Sequence, residues 1–132
     1  MNPEILILEN AKCTIEREYA LIVKISGRKT DGSWEMITLQ RALSEEDDVP
    51  GEEGIYFERG DQQYAAYGVV EHCSLQEDEL RIVIDEDSSA RFGEVREWRF
   101  CLRLSAAERE QFVDALLFVF RDCEEMLSLD EA

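Results

Sequence analysis

Between Arg96 and Leu104 the chain alternates strictly, with Trp98, Phe100, Leu102 and Leu104 on one side and Glu97, Arg99 and Arg103 on the other. Successive side chains of a strand point to opposite faces, so this run calls for a sheet with one dry face and one wet face. The dry face needs a cover. Ser105-Ala-Ala-Glu108 follows at once and fits a capping box, in which serine and glutamate each satisfy a backbone N–H at a helix start. Beyond it Phe112, Leu116, Val119, Phe120, Cys123 and Leu127 recur at helical spacing, while Phe118 lies off that stripe. Burying each large side chain of the stripe is worth about 1.5–3 kcal/mol, so a long C-terminal helix is expected to close the core.

The other strands read less cleanly. Tyr19–Ser26 places Tyr19, Leu21, Val23 and Ile25 on one face and runs through a turn-rich linker to Trp34–Arg41, which suggests a hairpin. Gly54–Glu58 reads as a short strand, and Gln63–Cys73 as a longer one bent at Gly68. Leu80–Ile84 follows an acidic turn, and Asp87–Phe92 looks like one turn of helix before Gly93. The expected fold is α+β over a single domain, residues 1–132. It has six or seven antiparallel strands in a strongly twisted sheet, with a long C-terminal helix packed on one face. Strands followed by one helix argue against a parallel sheet.

Hydrophobic residues make up 45% of the chain, enough core material that its net charge of -17 does not imply disorder. The start Met-Asn-Pro-Glu-Ile-Leu-Ile-Leu-Glu has no basic segment and an apolar run of only four residues, which predicts neither a signal peptide nor a membrane span. Cys13, Cys73, Cys101 and Cys123 form no CxxC pair, and one histidine is too few for the usual zinc patterns. Free thiols and a cytoplasmic location are the plain expectation.

The charge is unevenly placed. Glu45–Glu53, Glu77–Asp87 and Asp122–Glu131 hold 17 of the 31 acidic residues and one base, Arg81, and the remainder is nearly neutral. Affinity for phosphate comes from Lys and Arg, so no nucleic-acid partner is expected, and the acidic segments should attract basic surfaces. No nucleotide-loop, α/β-hydrolase or zincin motif occurs, and Glu45-Glu-Asp-Asp48 lacks the spacing of a calcium loop. His72 and Cys73 are neighbours, yet adjacent strand residues face opposite ways, so they make no nucleophile and base pair. No catalytic residue, cofactor or metal site is predicted. The bland account of the acidic segments is solubility; the functional one is electrostatic steering of a basic partner. On the second, Glu45, Glu46, Asp47, Asp48, Glu52, Glu53, Glu77 and Asp78 are the candidate contacts. Phe118, and after it Trp34 and Tyr56, are candidate aromatic anchors.

From Gly54 to Phe120 the chain resembles the immunity protein 10 family of bacterial polymorphic-toxin systems. The resemblance runs through Tyr64-Ala-Ala-Tyr-Gly-Val-Val-Glu71, Asp78-Glu-Leu80, Ser89-Ala-Arg-Phe-Gly93 and the closing Leu117-Phe-Val-Phe120. Val69 stands where the family often has a second glycine, and the first 50 residues carry no recognisable signature. The resemblance implies a protein that neutralises a cognate toxin by binding it, with no reaction of its own, and it transfers no site residues. With the acidity it gives the leading expectation: an inhibitor of a basic toxin, such as a nuclease, acting in the cytoplasm as a monomer or weak homodimer. Two other readings stay open: a DNA mimic that blocks some other nucleic-acid-binding protein, and a small ligand-binding domain with a pocket beneath Trp34, Tyr67 and Trp98.

Overall fold

The computed structural model describes residues 4–44, 54–60 and 64–130. Among the described residues nine strands form one sheet: β1 (Glu4–Arg17), β2 (Ala20–Arg28), β3 (Trp34–Ala42), β4 (Tyr56–Arg59), β5 (Ala65–Tyr67), β6 (Val70–Gln76), β7 (Glu79–Ile84), β8 (Val95–Leu102) and β9 (Leu127–Leu129). Their order across the sheet is β5-β4-β3-β2-β1-β8-β7-β6-β9. The helix α1 spans Ala106–Val119, and 3-10 turns occupy Glu86–Phe92 and Glu124–Met126.

The α+β class and the alternating strand hold, but three expectations are corrected. The sheet has nine strands rather than six or seven. It is mixed rather than antiparallel, because β1 runs parallel to β8 and β9 parallel to β6. The helix is also short. Asp122 adopts a left-handed backbone (φ 70°), which an α-helix cannot continue through. The last carbonyls turn to arginines instead: Arg41 Nη1 donates to Val119 O (2.8 Å) and Arg121 O (2.9 Å). Cys123 and Leu127 therefore leave the helix, and Leu127 pairs with Cys73 as the first residue of β9.

A phase change explains why β1 was missed. Leu6 and Leu8 face the core beside Trp98 and Phe100; then the register shifts around Asn10 (φ 51°), and Ala11, Cys13 and Ile15 face inward instead. The bulge inserts one residue, so the alternation changes parity within the strand. Two smaller expectations also fail. Tyr19 lies in the turn between β1 and β2 and is 67% exposed, whereas Leu21, Val23 and Ile25 are buried as expected. Glu97, placed on the wet face, is only 7% exposed.

The sheet is strongly curled. Flat strands lie about 4.8 Å apart, which would hold β4 and β8 roughly 19 Å from each other. Phe57 of β4 nonetheless meets Trp98 of β8 at 5.2 Å between ring centroids, with Phe92 at 5.1 Å on Phe57's other contact. The inner face so formed carries the core, and Phe112, Ala115, Leu116 and Val119 of α1 are buried with it. The capping box is present: Glu108 N donates to Ser105 Oγ (3.2 Å) and Ser105 N to Glu108 Oε1 (2.9 Å).

Candidate functional site

Most of the chain's arginines serve the fold. Arg59 donates to Glu35 Oε2 (3.0 Å) and to Phe92 O (2.6 Å), and Trp98 Nε1 donates to the same glutamate oxygen (3.2 Å), which satisfies a carboxylate on the inner face. Arg81 and Arg99 close on Glu97, Arg96 bridges Glu71 and Ile84 O, and Arg109 joins Asp130. Arg28 covers Trp34 at 4.8 Å. Each cation so engaged is one fewer to offset acids at the surface.

Pairing directions set which strand ends lie at the same end of the sheet. Following the ladders, β1, β3, β6 and β8 all end where β2, β4 and β7 begin. The turns after Arg17 and Gln76, and the connection after Ala42, thus leave the sheet at one end. The Gln76–Glu79 turn has exposed side chains on a held backbone. Glu77 N donates to Asp130 Oδ2 (2.6 Å), Arg109 Nη1 donates to Glu77 O (2.5 Å), and Leu102 N donates to Asp78 O (2.6 Å). The Asp130 carboxyl is held below its usual range by the Glu77 amide and then by Arg109. Among the described residues the side chains of Glu77 and Asp78 form no ion pair.

Glu45, Glu46, Asp47, Asp48, Glu52 and Glu53 lie outside the described residues; β3 and β4, on either side of them, end and begin at the same end of the sheet as the Glu77 turn. Phe118 is half-buried against the core, with the guanidinium carbons of Arg121 and Arg17 at 4.2 and 5.8 Å from its ring centroid. Its neighbour Leu117 is exposed. Trp34 is 53% exposed on the outer face and Trp98 fully buried on the inner one, so the two do not share the pocket expected beneath them.

The geometry also bears on chemistry. Cys73 faces the core opposite Ile82, and burial raises its thiol to about 12, so it stays protonated and a poor nucleophile. His72 points the other way, opposite Val83. All four cysteines are free. Among the described residues no group of three His, Cys, Asp or Glu could hold a metal ion, and no helix is long and apolar enough to cross a membrane.

Sequence reading passed over one alignment. Glu16, Ile22, Gln40, Tyr56 and Tyr67 lie directly opposite one another across β1 to β5. No contiguous stretch of sequence signals it, since the row needs the register of five strands.

A family model described as immunity protein 10 matches residues 9–110, from the bulge of β1 into α1, and so covers most of the first 50 residues as well. No curated protein and no solved structure matches the chain.

Proposed function

Because the chain belongs to the immunity protein 10 family, we propose that it binds and neutralises a cognate bacterial toxin whose surface is basic, such as a nuclease, without chemistry of its own. The acidic end of the sheet draws that surface in, with Glu77 and Asp78 on one turn and Glu45, Glu46, Asp47, Asp48, Glu52 and Glu53 in the connection between β3 and β4. One observation carries this reading: nine of the eleven arginines hold carboxylates, carbonyls or aromatic rings of the protein itself, while the carboxylates of the Glu77 turn project unpaired from a clamped backbone. Such a surface raises the encounter rate of a basic partner by about 10- to 1,000-fold at low salt. Phe118 and Leu117 supply apolar area beside the end of α1.

The test uses the toxin domain encoded by the adjacent gene. Binding is expected at nanomolar Kd in about 50 mM salt and should weaken at least about tenfold by about 500 mM, as screening shortens the reach of surface charge. Replacing Glu77 and Asp78 by Gln and Asn should slow association and flatten that salt dependence. Affinity that does not change with salt would refute the electrostatic reading.

A further inference from the structure

We propose that the toxin seats on the outer face of β1 to β5, with Tyr19, Tyr56 and Tyr67 as its anchors and Glu16, Glu18 and Glu58 as the acidic rim. This rests on the reading just given and narrows it, separating the residues that steer the partner from those that hold it.

The ladders supply the geometry. Leu21, Val23, Leu39 and Phe57 face the core, so the residues alternating with them face out. One row on that outer face runs Glu16, Ile22, Gln40, Tyr56, Tyr67, each directly opposite the next, with Ile22 buried beneath its neighbours and the two tyrosines partly exposed. At about 4.8 Å per strand it is roughly 19 Å long, a span suited to one side of a specific protein interface. Its aromatic end is at the open edge of the sheet, where the Tyr56 and Tyr67 rings lie 5.2 Å apart. Tyr56 donates its hydroxyl to Glu58 Oε1 at 2.6 Å. Burial, that bond and the nearby phenols of Tyr67 and Tyr19 all push Tyr56 away from ionisation, so its ring carries a neutral phenol. Tyr19 stands 67% exposed in the turn between β1 and β2.

Charge selects the occupant. Glu16, Glu18 and Glu58 rim the row, and Lys24 beside it is paired with Glu16 at 3.7 Å. Lysine and arginine side chains of a partner can lie over tyrosine rings while their charges meet these carboxylates. The other exposed apolar residues of the outer face, Ile5, Ile7, Trp34 and Met36, sit toward the opposite end among Lys12, Arg28 and Lys29, which would repel the same partner.

The Tyr56 and Tyr67 pair also fastens the edge strand, so Tyr19 is the discriminating position. With the adjacent-gene toxin domain, Tyr19→Ala should speed dissociation by about tenfold or more with an unchanged Tm, as truncation of an aromatic anchor does. Trp34→Ala should leave dissociation unchanged, and Glu18→Gln should act mainly on association. Amides of β4 and β5 should gain protection from hydrogen exchange in the complex. If the toxin binds but Tyr19→Ala dissociates normally, or protection falls on Ile5 to Ile7 and β8 instead, the surface is wrong and the immunity reading stands. If no binding occurs, both fall.

Discussion

At the scale of single residues the protein shows how a carboxylate expected in water can be held at 7% exposure. Glu97 lies on the outer face of β8, opposite Ile5 of β1 and Val83 of β7, and Arg81 and Arg99 close over it. Arg81's hydrogen bond, ahead of Arg99's, holds the Glu97 carboxyl below the usual glutamate range. A folded-state value below the unfolded one means the folded form releases the proton more readily. The stabilisation is therefore complete above the unfolded pKa of about 4.3 and disappears as pH falls through the lower folded value. Glu97→Gln should lose about 1–2 kcal/mol at pH 7, the lower part of the range for charge-assisted bonds, because both arginines are more than a third exposed and screened by solvent. Urea titrations at pH 7 and pH 3 check this: the difference between wild type and variant should be smaller at the second than at the first. A constant gap would show that packing, not ionisation, sets the cost.

At the scale of elements, two glycines separate close approach from backbone freedom. Gly27 faces inward on β2, where an added Cβ would lie 2.8 Å from Leu8 Cβ and 3.3 Å from Phe100 Cδ1. Leu8 Cβ is fixed by the neighbouring strand and cannot swing away. Gly27→Ala should therefore cost about 1–3 kcal/mol through overpacking and lower Tm by several degrees. Gly68 (φ 72°) has open space around its missing Cβ, so Gly68→Ala should cost only the left-handed backbone penalty, about 1–2 kcal/mol, with the core unchanged by near-UV dichroism. The same elements show what sequence could and could not convey. β8, β7, the β2 and β3 hairpin, the 3-10 turn before Gly93 and the capping box were legible because each is written in contiguous residues. β1 was not, since its bulge breaks the alternation into two phases, and neither was the end of α1, set by a residue 78 positions away, Arg41, reaching Val119 O. Of the candidate site, the charge was readable and the tyrosine row was not, because only strand register aligns it. The six acids of Glu45 to Glu53 named from sequence fall outside the described residues.

At the scale of the whole molecule the sheet is curled but open, and an open sheet must deal with its two edges. β5 ends one side with three residues. On the other, β9 covers the edge of β6 through Cys73, Ser74 and Leu75, and Asp130 N donates to Leu75 O at 3.1 Å. A single clasp fixes it: the Asp130 carboxylate accepts from Glu77 N and from Arg109, so β9, the β6 to β7 turn and α1 are held at one point. Unpaired backbone along an exposed strand is a template for another chain, and β6 carries the buried Cys73 and Leu75 beside it. Removing residues 127–132 should expose that edge. The truncated protein should then self-associate with rising concentration in sedimentation equilibrium, and amides of β6 should exchange faster than those of β2 and β3. Asp130→Ala keeps the strand and loses only the clasp, so it should speed exchange in β9 and the Glu77 turn without association. Since the proposed toxin face lies at the far edge, both variants should still bind through Tyr19, with dissociation rates close to wild type. A truncated protein that stays monomeric with β6 protected would mean the edge is shielded by something other than β9.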